Sequence, residues 1–346
     1  MTLPLPDLGT LALAAVTALL AAGLLAPIEA LGWWAGWFGS EPEPMPPEDP
    51  VDPPPSGWLV FLSGVHSVGG ETFAPRERAF LERLRAELPD VHVIEVFPYS
   101  VTNRALTGQR LFARFWRWAL ARKMSRRQLA GIAGMVINFR NAWQVAVSAD
   151  RRYGPMYDEG SADLILRALV RDGYRRGSDA PLVLVGYSGG GQIAMGAVAP
   201  LAERTGRPAR VVSLGGVMAS PRSGDGLARL VHLRGRNDAV ARIGAAFFPG
   251  RWPWVRWSTW NRLKGDGRIE VVDLGAMDHT GRAGYLDDEM HLPDGRSHQR
   301  ATVDTIVAVV HDALSESAAD GGAGGGENGG AARPRRATSG QDDQPS

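Results

Sequence analysis

Residues 181–199 contain the pattern in this chain that points most directly to covalent chemistry. Residues 181–185 are apolar and rich in Leu and Val, which is typical of a strand buried on both faces. The sequence GYSGG follows at once, and residues 192–204 have helical spacing. Strand, G-x-S-x-G and helix together predict a sharp turn that exposes the hydroxyl of Ser188 as a nucleophile. The alternative is a glycine-rich turn with an incidental serine, which the flanking strand and helix disfavour.

A serine hydroxyl is a weak nucleophile and needs two partners. An imidazole must take its proton, and a carboxylate must orient that imidazole and stabilise its cation. The 346-residue chain has seven His residues from which the base can come. It has no Cys, which excludes disulfides, zinc-thiolate sites and thiol nucleophiles and leaves the redox compartment open.

Strand and helix patterns alternate along most of the chain and predict an α/β fold with a doubly wound, mostly parallel sheet. Strands are predicted at residues 58–62, 91–97, 181–185, 210–214, 230–233 and 268–274. Helices are predicted at residues 76–88, 162–174, 192–204 and 302–314. The carboxyl ends of such strands meet at one edge of the sheet, where the chemistry of these folds is located.

With the serine motif in this setting, residues 57–315 resemble the α/β-hydrolase superfamily. The resemblance implies a triad in the chain order nucleophile, acid and histidine, each after a strand. The sequence GRND matches the acid loop of that family and implies Asp238, while GAMDHTG implies His279 as the base. Other residues stay open for these roles: Asp225 and Asp278 as acids, and His291 and His298 as bases. The remaining histidines are expected to be structural or on the surface: His66, His92, His232 and His311.

The resemblance also implies an oxyanion hole made of two backbone N–H groups. One belongs to Gly189, directly after the nucleophile, and the other follows the first core strand. Here that second group is the N–H of Val65, with His66 as the alternative. Many relatives have His-Gly at this point, whereas this chain has Ser63-Gly64.

The sequence predicts no cofactor and no metal. It lacks G-x-x-x-x-G-K-[ST], and no G-x-G-x-x-G follows the first strand. No His and carboxylate spacing indicates a metal site. The formal net charge is only +1, and no nucleic-acid-binding module is recognisable, so nucleic acid is not an expected partner.

The N-terminal residues 1–38 predict a transmembrane anchor with an aromatic belt. Residues 8–28 are uncharged and apolar, close to the ~20 residues that a membrane-spanning helix needs, and Trp33, Trp34 and Trp37 follow. A signal peptide fits less well because no Lys or Arg precedes the run, and a buried core helix is the other alternative. A single-pass membrane location is therefore predicted. The flanks leave the side of the membrane open, with the cytoplasm favoured.

Two basic, aromatic segments could contact lipid. Residues 98–149 form a predicted helical, lid-type insertion with nine basic residues and no acid, which either lies on an anionic membrane or packs on the sheet. Residues 247–263 contain four Trp and three Arg, and Pro249 and Pro253 predict irregular structure. This second segment could rest on lipid, roof an apolar pocket or pack as a core insertion.

The predicted organisation is an anchor at residues 1–38, an acidic proline-rich spacer at 39–56, a hydrolase-like domain at 57–315 and a disordered tail at 316–346. The resemblance implies a serine hydrolase of carboxylic esters. The predicted anchor and the two Trp- and Arg-rich segments add a membrane location and lipid esters as one substrate class. An acyltransferase with the same triad is an alternative. A non-catalytic domain that binds lipid or a partner is another.

Overall fold

A computed structural model of the chain describes residues 44–66, 75–99 and 129–323, with the isolated positions 14 and 17. Within these ranges the chain forms one six-stranded sheet in which every pair of neighbouring strands is parallel. The strand order is β2-β1-β3-β4-β5-β6. The strands are β1 Gly57–Leu62, β2 Val91–Val96, β3 Leu182–Tyr187, β4 Ala209–Leu214, β5 Leu227–Arg234 and β6 Ile269–Asp273.

The helices cover both faces of this sheet. They are α1 Pro75–Glu87, α2 Leu129–Ala149, α3 Gly154–Arg171, α4 Gly189–Thr205, α5 Ala239–Phe247, α6 Thr259–Gly265 and α7 His298–Ala323, with a short 3₁₀ helix at Pro249–Arg251. Buried side chains of α2, α3, α4 and α6 form one core, and those of α1 and α7 form a second core on the opposite face. The predicted doubly wound parallel sheet is therefore confirmed.

Three of the four interior strands are buried along their whole length. Every residue of β1, β3 and β4 is buried, because helices cover both faces and hydrogen-bonded strands cover both edges. The order of the strands reverses between β1 and β3, since the chain goes from β1 outward to β2 and then returns to β3 on the other side. The crevice at such a reversal, outside the carboxyl ends of the strands, is where ligands bind in open α/β sheets.

The segment predicted as an acidic proline-rich spacer contacts the domain where it is described. Residues 44–56 have no helix or strand, as expected for their prolines. The carbonyl oxygen of Pro44 accepts a hydrogen bond from Arg167 at 3.0 Å, and Glu48 pairs with Arg176 at 2.5 Å. Arginines at the end of α3 and just beyond it therefore hold the segment that charge repulsion alone would extend.

The last helix continues beyond residue 314, where the sequence predicts its end. Glu316 forms an ion pair with the buried Arg210, and Ser317 donates to the carbonyl oxygen of Asp179 at 2.8 Å. These tertiary contacts favour helix in a stretch that its composition marks as disordered, and α7 ends at Ala323.

The predicted anchor lies outside the described residues except for two isolated positions, and so does the part of the basic insertion at residues 100–128. In the part of the chain that the structure does describe, no helix combines the length and the hydropathy needed to cross a bilayer.

Candidate active site

Ser188 occupies the tight turn between β3 and α4. Its backbone has φ 54° and ψ −121°, a left-handed conformation that costs a non-glycine residue about 1–3 kcal/mol. The turn also brings backbone segments into close contact, since a Cβ on Gly186 would lie 2.5 Å from the carbonyl oxygen of Gly190. A Cβ on Gly190 would lie 2.4 Å from that of Leu62. Glycine at both positions therefore allows the chain to turn sharply enough to present Ser188.

A continuous hydrogen-bonded chain joins Ser188, His279 and Asp238. The Oγ of Ser188 lies 2.8 Å from Nε2 of His279, and Nδ1 of His279 lies 2.9 Å from Oδ2 of Asp238. Asp238 is fully buried, and the side chain of His279 is 12% exposed. Ser188 is only 4% exposed, so the predicted exposure of its hydroxyl is wrong for the described residues, because the imidazole of His279 lies against its Oγ. With the proton on Nδ1 donated to the carboxylate, Nε2 is free to accept the serine proton.

Contacts to its backbone and to one face of its ring hold His279 in position. Its carbonyl oxygen accepts a hydrogen bond of 2.7 Å from the hydroxyl of Tyr187, the residue that precedes the serine. The two rings stack with centroids 6.0 Å apart and an interplanar angle of 26°. The neighbouring N–H of Asp278 donates to the carbonyl oxygen of Ala283, which closes the loop after β6. The loop thereby places the imidazole above the serine turn.

Asp238 is held by three hydrogen-bond donors. It is the N-cap of α5, so that Oδ1 accepts from the N–H of Ala241 at 2.8 Å. Oδ2 accepts from the hydroxyl of Tyr285 at 2.5 Å as well as from His279. The Tyr285 hydroxyl in turn accepts from the N–H of Gly235 at 2.8 Å, which directs its proton toward the carboxylate.

These hydrogen bonds control the charge of Asp238. Burial by itself would raise the pKa of the Asp238 carboxyl, but the donors His279, Ala241 and Tyr285 together outweigh burial and hold that pKa below its usual value. The same carboxylate and burial raise the pKa of the Tyr285 hydroxyl, with burial the larger cause. At neutral pH the pair is therefore an ionised carboxylate and a neutral phenol that donates to it.

The rival acids and bases lie in other surroundings. Asp225 is an exposed residue in the turn before β5, and Asp278 engages Ala283 through its backbone N–H. Nδ1 of His291 and Nδ1 of His298 each lie 2.9 Å from a backbone carbonyl oxygen. The geometry thus brings Asp238 and His279, rather than these alternatives, to Ser188.

The other histidines have structural partners or lie at the surface. His232 is buried against the hydroxyl of Ser213 at 3.1 Å, and burial lowers its pKa to about 3, so it is neutral at physiological pH. His66 contacts Glu77 at 3.1 Å and His92 contacts Asp172 at 3.3 Å. His311 is exposed on α7.

The two residues predicted to form the oxyanion hole adjoin one another. Gly189 is the first residue of α4, so its N–H has no acceptor within the helix. A Cβ placed on Gly189 would lie 2.8 Å from Cγ1 of Val65, which shows how closely the loop after β1 approaches the serine turn. The carbonyl oxygen of Val65 accepts from Nδ2 of Asn141 at 2.7 Å, so α2 fixes this loop from above. The role of either N–H group stays a prediction.

Several residues at the site were not predicted from the sequence. Tyr285, Tyr187 and Asn141 are brought to it by contacts that span 47, 92 and 76 residues of chain, and no local pattern indicates them. Arg140, one of the nine basic residues of the predicted insertion, is buried and donates to the carbonyl oxygen of Tyr99 at 3.1 Å. This hydrogen bond replaces part of the hydration that the guanidinium loses.

A cavity of about 810 Å³ lies beside α4, between α3 and the segment 248–262. Neither Ser188 nor His279 lines it, although Gln192, one helical turn after the serine, does. The cavity is therefore a neighbour of the candidate site and not its floor. No group of three or more metal-binding side chains occurs within the residues that have described positions.

Neither a protein-family model nor a curated protein sequence matches the chain. Among solved structures, the chain is similar to dienelactone hydrolase from Anabaena variabilis ATCC 29413, with 14% sequence identity. The similarity covers 77% of this chain and 88% of that one, with a TM-score of 0.38. The doubly wound parallel sheet and the serine turn after β3 fit an α/β-hydrolase fold.

Proposed function

We propose that this chain is a serine hydrolase that cleaves carboxylic esters through an acyl-enzyme on Ser188. The observation that carries the proposal is the hydrogen-bonded chain from Ser188 through His279 to Asp238, with distances of 2.8 Å and 2.9 Å. A strained, glycine-flanked serine adds support, because a left-handed backbone at a non-glycine residue is costly and is common at functional sites.

In the first half of the reaction, Oγ of Ser188 attacks the ester carbonyl carbon while Nε2 of His279 takes the hydroxyl proton. Asp238 stays ionised and stabilises the imidazolium through Nδ1. The carbonyl oxygen becomes an oxyanion, which the N–H groups of Gly189 and Val65 are proposed to hold. The C–O bond to the alcohol then breaks, and His279 returns its proton to the leaving alcohol.

In the second half, water replaces the alcohol. His279 removes a proton from that water, the hydroxide oxygen bonds to the acyl carbon, and a second oxyanion forms in the same place. Its collapse breaks the bond between the acyl carbon and Oγ of Ser188. The serine regains its proton from His279 and the carboxylic acid leaves, so the site returns to its starting state.

The predicted location narrows the proposed substrates. If residues 8–28 anchor the chain, the domain works beside a bilayer, where esters with long acyl chains are concentrated. We therefore propose lipid esters as the natural substrate class. This step depends on the sequence of the N-terminal residues and not on the shape of a pocket.

Hydrolysis of p-nitrophenyl esters from acetate to palmitate by the purified full-length chain tests this proposal. We expect saturable turnover that Ser188→Ala removes, with kcat/KM rising as the acyl chain lengthens. Turnover that survives Ser188→Ala would contradict the mechanism. A preference for acetate over all longer chains would contradict the lipid-ester assignment while leaving the triad intact.

A further inference from the structure

The segment that follows Asp238 carries a surface of large apolar side chains. Phe247 is 78% exposed and Trp257 is 77% exposed, values that are unusual for side chains of this size. We call the set the apolar face, and it consists of Val240, Ile243, Phe247, Trp254 and Trp257.

Helix α5 is amphipathic, but it buries its small residues and exposes its large apolar ones. Its buried residues are Ala241 and Gly244, and a Cβ on Gly244 would lie 2.7 Å from Cγ1 of Val217. Its large apolar residues Val240, Ile243 and Phe247 are on the exposed side, although a surface helix ordinarily turns such residues toward the core. The sequence of α5 therefore fits a helix with an apolar environment outside the domain.

The aromatic part of the face is held in place by specific contacts. Nε1 of Trp252 donates to the carbonyl oxygen of Ala246 at 3.0 Å, which ties the tryptophan segment to the end of α5. The ring of Trp252 lies 5.2 Å from that of Trp254, and Nδ2 of Asn261 donates to the carbonyl oxygen of Trp252 at 2.8 Å. These contacts hold the backbone that carries the exposed rings.

The basic residues near the apolar face indicate what kind of partner would cover it. Residues 239–265 contain five basic residues and no Asp or Glu. Arg242, Arg256 and Lys264 are exposed, and the partner described for the guanidinium of Arg242 is a neutral carbonyl oxygen, that of Arg236. Cationic side chains around exposed Trp and Phe match a bilayer surface with anionic headgroups, where Trp favours the interfacial layer.

The same charge disfavours the two other ways of covering the face. Residues 100–128 of this chain contain eight basic residues and no acid, so their approach would bring like charges together. A second copy of the chain would place one cationic face against another. An anionic membrane surface would instead neutralise the five basic residues of segment 239–265.

We propose that the apolar face docks onto an anionic membrane surface, with Phe247, Trp254 and Trp257 in the interfacial layer. Asp238 is the N-cap of α5, so docking through α5 would orient the domain on the membrane with the candidate triad nearby. The contact would be additional to any N-terminal anchor. It extends the proposed function by naming a membrane surface, but it does not depend on ester cleavage.

The absence of cysteine allows a direct test, since any introduced Cys is a unique labelling site. Full-length Phe247→Cys and Trp257→Cys, each carrying a nitroxide spin label, are compared in vesicles of phosphatidylcholine with and without phosphatidylserine. Ala86→Cys is the matched control, because Ala86 is exposed on α1, which packs on the opposite face of the sheet. Accessibility to oxygen and to a water-soluble nickel complex reports the depth of each label.

With phosphatidylserine we expect the labels at 247 and 257 to lose nickel accessibility several-fold and to gain oxygen accessibility, while the label at 86 stays in water. Changing Arg242 and Arg256 together to Ser should lower the ratio of docked to undocked label by roughly thirtyfold, because each basic residue near an anionic surface contributes about 1 kcal/mol. Labels at 247 and 257 that match the label at 86 in both lipids would overturn the proposal. Loss of access to both reagents in every lipid would also overturn it, because the face would then be covered by protein. The readout needs no turnover, so failure of docking and failure of catalysis are distinguishable.

Discussion

Tyr285→Phe removes one hydroxyl from the candidate site and keeps the ring. That hydroxyl donates to Oδ2 of Asp238 at 2.5 Å and accepts from the N–H of Gly235 at 2.8 Å. Tyr285, Asp238 and Gly235 are all buried, so water cannot easily replace either bond. The substitution therefore tests whether Tyr285 positions and ionises the triad acid.

Two costs set the magnitude of the effect on stability. A hydrogen bond to a buried carboxylate contributes about 1.5–3 kcal/mol, and a buried N–H without a partner costs about 1–3 kcal/mol. Because the two are not additive, we expect the free energy of unfolding at neutral pH to fall by about 2–4 kcal/mol. A donor is also lost from Asp238, so the pKa of its carboxyl should rise from its lowered value.

The pH dependence has a defined sign. The pKa of Asp238 is lower in the folded chain than in the unfolded one, so its contribution to stability is present above the ordinary aspartate pKa of ~4 and disappears as the pH falls through the folded value. The difference in stability between the wild type and Tyr285→Phe should therefore narrow in acid. We also expect kcat for a p-nitrophenyl ester to fall about tenfold, which corresponds to roughly 1.4 kcal/mol, with KM little changed.

Chemical unfolding at neutral and acidic pH, together with kcat across the pH range, measures these effects. Tyr157→Phe is the matched control, because its buried hydroxyl donates to the carbonyl oxygen of Pro98 at 2.9 Å, away from the triad. Tyr157→Phe should be less stable than the wild type by an amount that does not shrink at acidic pH. Its kcat should match that of the wild type. If Tyr285→Phe behaves in the same way as Tyr157→Phe, the hydroxyl of Tyr285 is merely structural and the reasoning is wrong.

Two further predictions follow from the site and its turn. Asp238→Asn should lower kcat roughly a thousandfold or more, because an amide cannot hold the imidazole in the required tautomer, whereas Asp225→Asn should leave ester turnover unchanged. Equal losses in the two variants would contradict the assignment of the acid. Gly190→Ala should destabilise the chain by about 1–3 kcal/mol in chemical unfolding, since its Cβ would meet the carbonyl oxygen of Leu62 at 2.4 Å. A Cβ on Gly265 would meet open space, so Gly265→Ala should instead raise the free energy of unfolding by about 0.5–1 kcal/mol. If Gly190→Ala proved the more stable of the two variants, the packing inferred at the serine turn would be wrong.

The parts of the fold that depend on local pattern were predictable. The apolar run before Ser188 and the glycines around it are encoded within a few residues, because the turn itself requires them. The strands before Asp238 and His279 were also recognisable from the sequence. Once both residues follow parallel strands of one sheet, topology alone brings them to the same edge.

The parts that depend on distant contacts were not predictable. Tyr285 reaches Asp238 only because the chain after β6 folds back to the loop after β5, and nothing near residue 285 indicates that path. The end of α7 is extended by the pairing of Glu316 with Arg210. Helix α5 was not predicted at all, and the usual periodicity rule would direct its Phe247 inward, whereas the structure exposes it.

The central claim is that the hydroxyl of Ser188 is a nucleophile activated by His279. Intact-mass analysis of the full-length chain after exposure to a fluorophosphonate probe tests it most directly, with the labelled residue located by peptide sequencing. We expect a single adduct on Ser188 that forms at least a thousandfold more slowly, or not at all, in His279→Ala and is absent from Ser188→Ala. An unlabelled wild-type chain, or an adduct that persists in Ser188→Ala, would contradict the claim.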